Sequence, residues 1–109
     1  MLYLGNAFSL GMLYHDDTTL KVYGADLITV KGLLQSREWQ SCVGHQSTAD
    51  LLSSLLDTHI PFNRTNVKLQ KGDVIIVFQL MQRLEEGKVL SKEELQNLAY
   101  KFYIVEVVW

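Results

Sequence analysis

The sequence predicts an α+β fold in which one mixed β-sheet is flanked by helices. Three observations carry that expectation. Apolar runs of strand length recur at the start (LYLG, residues 2–5), in the second half (DVIIVFQL, 73–80) and at the end (FYIVEVVW, 102–109). Between them lie two segments with helix-capping patterns, one of them with leucines at helical spacing. The chain has 109 residues, room for one domain with a single core, so residues 1–109 are read as one unit.

LYLG reads as a short buried strand that ends at Gly5-Asn6. Residues 7–13 have the composition of a single helical turn, and YHDDT (14–18) carries aspartates that bond their own backbone in turns. LKVYGADLITV (20–30) holds two β-rich pieces around Gly24-Ala25-Asp26, which predicts a hairpin. VKGLLQSREWQSCVG (30–44) shows no clear period and is read as mostly irregular. Ser47 with Asp50 three residues later forms a capping-box pattern. Leu51, Leu52, Leu55 and Leu56 then share one helical face, and the helix should stop before Pro61. NVKL and DVIIVFQL flank Gln70-Lys71-Gly72 as a second expected hairpin. The second of these runs is apolar almost throughout, which suits a central strand covered on both faces. Ser91 with Glu94 repeats the capping box and opens a helix over 92–99, before the last strand.

Composition narrows the functional classes. A 48% hydrophobic and 20% charged chain has the make-up of a soluble globular protein, and no apolar run is long enough to span a bilayer. The expected setting is therefore the cytoplasm, of a host cell if the chain is viral, with no membrane partner. A formal net charge of −2 argues against long nucleic acid, whose binding needs basic surface to displace counterions. A short nucleotide held by backbone amides and a few cations remains open. With Cys42 alone, no internal disulfide can form. The opening MLYLGNAFSLGML lacks the basic start of a signal peptide.

Polar residues gather at the ends of apolar elements. Asn6 and Ser9 follow the first strand; His45, Ser47 and Thr48 precede the central helix; Gln79, Gln82, Arg83 and Glu86 follow the long buried strand. Ligands bind where strands end and helices begin, because unpaired amides collect there. A helix N-terminus suits a phosphate, an imidazole beside it can protonate a leaving oxygen, and Arg83 can clamp phosphate with two parallel hydrogen bonds. Each residue also has a purely structural reading. Ser47 and Thr48 serve as caps, His45 as an exposed loop residue, Arg83 and Glu86 as an i,i+3 pair, and Asn6 as a bend former. Other chemistries fit worse. His15, Asp16, Asp17 and His59 lack metal-ligand spacing, Cys42 with His45 is a weak nucleophile pattern, and no P-loop or dinucleotide fingerprint is present. Neither metal nor cofactor is expected.

Four blocks in order, LGNAFSLGML, GHQSTADLLSSLL, NRTNVKL and QRLEEGKVLSKEEL, resemble the signature of the viral anti-CRISPR ring nucleases, a likeness that covers residues 2–98. The resemblance implies a metal-independent phosphodiesterase that binds cyclic tetra-adenylate, the second messenger of type III CRISPR defence, as a homodimer. It implies attack by a ribose 2′-hydroxyl on its neighbouring phosphate, leaving linear di-adenylate with a 2′,3′-cyclic phosphate. Matched position by position, His45 falls on the family's general acid, and Ser47 and Thr48 fall where the family approaches phosphate, next to Gly44. Asn6 and Ser9 match polar residues that help hold ligand. Arg83 and Glu86 match the arginine and glutamate of the last block, Glu86 with a catalytic role, and Gln79 and Gln82 lie beside them. Arg64 matches a basic residue of the third block. Gly87, ahead of a capped helix, suits a segment that closes over ligand. Gly11 and Gln46 replace an asparagine and an aspartate common among viral members, which points toward a phage or bacterial mobile element. Two other function classes stay open: a module that sequesters or senses a cyclic nucleotide without needing His45, and a protein-binding regulator.

Overall fold

The computed structural model describes residues 1–83 and 90–109. In chain order they form β1 (Leu2–Gly5), a 3-10 turn (Leu10–Met12), β2 (Leu20–Ala25), α1 (Leu27–Ser36), β3 (Trp39–Ser41), α2 (Gln46–Leu56), β4 (Val74–Leu80), α3 (Lys92–Gln96) and β5 (Tyr100–Val107). The strands make one mixed sheet in the order β2-β5-β4-β1-β3. β1 runs parallel to β3 and β4, while β5 pairs antiparallel with both β4 and β2. The expected α+β class with a single mixed sheet and flanking helices is what the chain adopts.

Alternation along the strands divides the core into two layers. Leu2, Leu4, Ile76, Phe78, Phe102 and Ile104 point to the helical side and meet Val30 and Leu34 of α1 and Ala49, Leu52, Leu55 and Leu56 of α2. Ile75, Val77, Val105 and Val107 point the other way and are covered in part by Val67 and Leu69. β4 is therefore central and buried on both faces, as its unbroken apolar run predicts.

Several local expectations are corrected. No hairpin forms over 20–30. The Asp26 carboxylate accepts the Thr29 N–H at 2.8 Å, capping α1 at the residue read as a turn. Val30 and Leu34, four apart, then face the core, so burial at helical spacing overrides the β-branched composition of LITV. Residues 30–44, read as mostly irregular, hold most of α1 and all of β3. The expected Ser47–Asp50 box is absent: α2 starts at Gln46 with His45 as N-cap, and Asp50 accepts from the Gln46 amide at 2.9 Å. The turn at Gln70–Asp73 exists, with Gly72 at φ 89°, a value glycine adopts freely. The segment before it does not pair with β4; Leu69 bridges Leu13 instead. The Ser91–Glu94 capping box is present, on a helix shorter than expected, and β5 begins two residues early at Tyr100.

Because β1, β3 and β4 point the same way, their C-terminal ends share one edge of the sheet. The chain leaves β3 on one side of β1, passes through α2 and returns as β4 on the other side. Such a reversal opens a crevice at the strand ends.

Candidate functional site

The crevice is an open cleft of about 570 Å³ at that edge. Its near wall is built by hydrogen bonds between loops. Asn6, just past β1, accepts the Gly44 N–H on its side-chain oxygen at 3.1 Å. Ser41 donates its hydroxyl to the Pro61 carbonyl at 2.6 Å, and Asn63 donates to the Ser41 carbonyl at 2.8 Å. The Asn63 N–H reaches the Val43 carbonyl at 2.9 Å, so residues 61–64 run alongside 41–44. This brings the Arg64 stem over Gly44, in ordinary contact with where a side chain there would stand, 3.6 Å from Arg64 Cγ.

His45 occupies the N-cap of α2 in extended backbone conformation, and its side chain makes no capping hydrogen bond. The imidazole is exposed and makes no hydrogen bond among the described residues. The Ala49 N–H is the first amide of α2 to bond back into the helix, to the His45 carbonyl at 3.0 Å. The amides before it therefore present the partial positive charge of a helix start, roughly +0.5 in all.

The far wall comes from the second layer. Leu69 donates its N–H to the Met12 carbonyl and Tyr14 donates to the Leu69 carbonyl, holding 67–69 beside the 3-10 turn. Lys68 Nζ reaches the Gly11 carbonyl at 2.6 Å. Arg64 and Lys68 thus bracket the cleft, and among the described residues no carboxylate lines it. That charge balance suits an anion, although the whole chain carries −2.

Cys42 also borders the cleft but is held as packing. Its sulfur lies 2.8 Å from where a Gly5 Cβ would stand, so any side chain there would push the thiol aside. Burial pushes the thiol up to about 11, which leaves almost no thiolate at neutral pH and weakens any nucleophilic reading.

The cleft gathers Asn6, Ser9, Gly44, His45 and Arg64. Ser47 and Thr48 sit on the first turn of α2 and are not part of its lining. Gln79 lies in a second groove that shares Asn6 and Ala7 with the first. Gln82 has a structural task, accepting the Ala99 N–H at 2.7 Å. Arg83 is exposed just beyond β4. Glu86 and Gly87 lie outside the described residues, as does the core of the expected closing segment. Thr65, Asn66, Lys68 and Met12 line the cleft without having been singled out. The run NRTNVKL carried the signal, two cations among three amide or hydroxyl residues, but NVKL was read as the arm of a hairpin and only Arg64 was singled out. His15, Asp16, Asp17 and His59 do not assemble: no group of three metal-ligating side chains occurs among the described residues. Nor is any described helix long and apolar enough to cross a membrane.

Comparison with known proteins gives concordant matches. A family model described as STIV B116-like matches residues 2–102. The chain is 35% identical over 109 residues to protein 26 of Sulfolobus islandicus filamentous virus, covering 99% of this chain and 92% of that protein. YddF of Bacillus subtilis is 32% identical, over 76% of this chain and 82% of its own length. The solved structure of B116 from Sulfolobus turreted icosahedral virus superposes with a TM-score of 0.82 at 34% identity, covering 96% of this chain and 97% of that one.

Proposed function

The chain belongs to the STIV B116-like family, a family of viral proteins, and from that premise and the cleft we propose that it is a ring nuclease: a metal-independent phosphodiesterase that cleaves cyclic tetra-adenylate. The observation that carries this reading is the unused His45 imidazole at the N-cap of α2, in a cleft with Arg64 and Lys68 and no described carboxylate.

In this mechanism the substrate supplies its own nucleophile. A ribose 2′-oxygen attacks the adjacent phosphorus, and the bond from phosphorus to the 5′-oxygen breaks. The 2′-proton passes to solvent or a base, and His45 delivers a proton to the departing 5′-oxygen. Arg64, Lys68 and the first amides of α2 hold the negative charge that grows on the phosphoryl oxygens. The products are linear di-adenylates ending in a 2′,3′-cyclic phosphate. One histidine contributes about 10²–10⁴-fold to such a reaction, and alignment of the 2′-hydroxyl supplies much of the rest. The active form in this proposal is a homodimer, since a two-fold assembly presents the same groups to both halves of a two-fold ligand.

Incubating the protein with cyclic tetra-adenylate and a chelator, then weighing the products, tests the reading. Di-adenylate with a cyclic phosphate end is expected. Tight binding with no turnover would make the chain a sequestering module, and absence of nucleotide binding would point to a protein partner.

A further inference from the structure

Residues 60–64 reach the cleft as a strap that two serines fasten. Ser53 of α2 accepts the Ile60 N–H on its hydroxyl at 2.9 Å. Ser41, the last residue of β3, donates its hydroxyl to the Pro61 carbonyl at 2.6 Å and accepts the Val43 N–H at 3.3 Å. It is 5% exposed, the one buried polar residue among those described. β3 lies at the edge of the sheet, and Cys42 gives its N–H to Leu4 of β1. The Ser41 and Val43 carbonyls on either side of Cys42 therefore face outward. Asn63 satisfies both, its side-chain amide donating to the first at 2.8 Å and its backbone N–H to the second at 2.9 Å.

Arg64 comes next, exposed and without a hydrogen bond or ion pair among the described residues. Where its guanidinium can reach is thus set by where its backbone stands. We propose that Ser41 and Asn63 are positioning residues: they clasp 61–63 to β3 and so aim Arg64 at the phosphate whose leaving oxygen His45 protonates. Neither touches the ligand, and both act through Arg64. The inference rests on the phosphodiesterase reading of the cleft and adds to it two residues outside the cleft lining. A small backbone shift at residue 63 grows along the length of an arginine side chain. Misplacing a group that meets the reacting phosphate by about 1 Å lowers the rate about 10²-fold. A fastening that served only to close the sheet edge would change stability and leave the aim of Arg64 alone. Ser53 supplies that comparison, because it fastens the same strap four residues before Arg64.

The test is a double-mutant cycle on the intact chain. Asn63→Ala, at a half-buried position, removes one side-chain bond and leaves the backbone bond to Val43, so the fold should persist. It should lower kcat/KM for cyclic tetra-adenylate roughly tenfold or more. In an Arg64→Ala background the same change should have almost no further effect, because the group it aims is gone. Ser41→Ala, which also frees the Pro61 carbonyl, should follow the same pattern. Ser53→Ala should lower the melting temperature and keep kcat/KM near the parental value. Losses that multiply in the Asn63→Ala, Arg64→Ala double variant overturn the clasp, as does a Ser53→Ala chain that loses cleavage in step with Asn63→Ala. Inorganic phosphate, titrated against the Gly44 amide by NMR, runs the same cycle without chemistry. Phosphate binding that Asn63→Ala weakens only where Arg64 is present, in a chain that never cuts the ring, ends the nuclease reading and keeps the clasp. Parental cleavage in both Asn63→Ala and Ser41→Ala ends the clasp and keeps the nuclease.

Discussion

His45 is available for chemistry because it leaves undone the usual work of its position. An N-cap side chain that accepts from the first turn stabilises a helix by about 0.5–2 kcal/mol, and α2 forgoes that bond. His45→Ser should therefore raise the melting temperature, by the equivalent of about 1 kcal/mol, while lowering cleavage about 10²-fold or more. His45→Ala should show the same loss of rate with ligand binding within a few-fold, since Arg64, Lys68 and backbone amides remain. Stability and turnover moving in opposite directions mark a functional site; cleavage near the parental rate in either variant would leave the imidazole as a loop residue. Cys42 provides the contrasting case. Its raised pKa means that the folded chain holds its proton where an ordinary thiol, at 9.0, would begin to lose it. The sign follows: the buried neutral thiol favours the fold below pH 9.0, and that preference is lost as pH rises toward about 11. Iodoacetamide at pH 8 should label Cys42 slowly in the native protein and readily in urea. Fast native labelling would show a more open thiol than the packing under Gly5 allows.

At the scale of elements, what could be read from sequence was what is decided locally. The Ser91–Glu94 box was legible because both of its hydrogen bonds close within four residues, Glu94 N–H to Ser91 Oγ and Ser91 N–H to the Glu94 carboxylate, each at 3.1 Å. β4 was legible because seven consecutive residues, VIIVFQL, state its burial directly. The misread segments answer to distant partners. The stretch before Gln70 looks like the first arm of a hairpin, yet the amide of Gly72 goes to Val107 and that of Leu69 to Met12, contacts no local pattern announces. Likewise α2 begins one residue before the expected cap, in a loop pinned by Asn6 and Asn63 from elsewhere in the chain. The cleft was half legible for the same reason. Element ends flagged Asn6, Ser9 and His45, and the resemblance added Gly44 and Arg64, but Lys68 entered only through the pairing of 67–69 with the 3-10 turn. These packing contacts carry the stability. Leu52 of α2 is fully buried between the helix and the sheet. Leu52→Ala should destabilise by about 2–5 kcal/mol in urea titration. Asp26→Ala should lower the melting temperature through the lost α1 cap; an unchanged value would mean that burial of Val30 and Leu34 alone sets that helix.

For the whole molecule, the direction of the strands decides where a second copy can sit. The apolar ending EVVW suggests a contact surface, and Val108 and Trp109 are exposed. However, β5 runs against β4, pairing Glu106 with Val74 and Tyr100 with Leu80. The chain therefore ends at the edge opposite the cleft, and a contact through Trp109 would hold two clefts apart. Exposed apolar side chains also occur at the cleft edge: Leu10 in the 3-10 turn, Phe62 in the segment beside β3, and Met81 just past β4. A shared site requires an isologous contact there, so that each ligand half meets one subunit. Sedimentation at micromolar concentration should accordingly report a dimer. Trp109→Ala should leave that dimer intact, whereas Leu10→Glu or Met81→Glu should dissociate it by placing a charge in a desolvated contact. Loss of the dimer should weaken cyclic tetra-adenylate much more than 5′-AMP, because only the larger ligand reaches both subunits. A protein that stays monomeric with and without the cyclic ligand would defeat the shared site, and dissociation by Trp109→Ala alone would move the interface to the far edge.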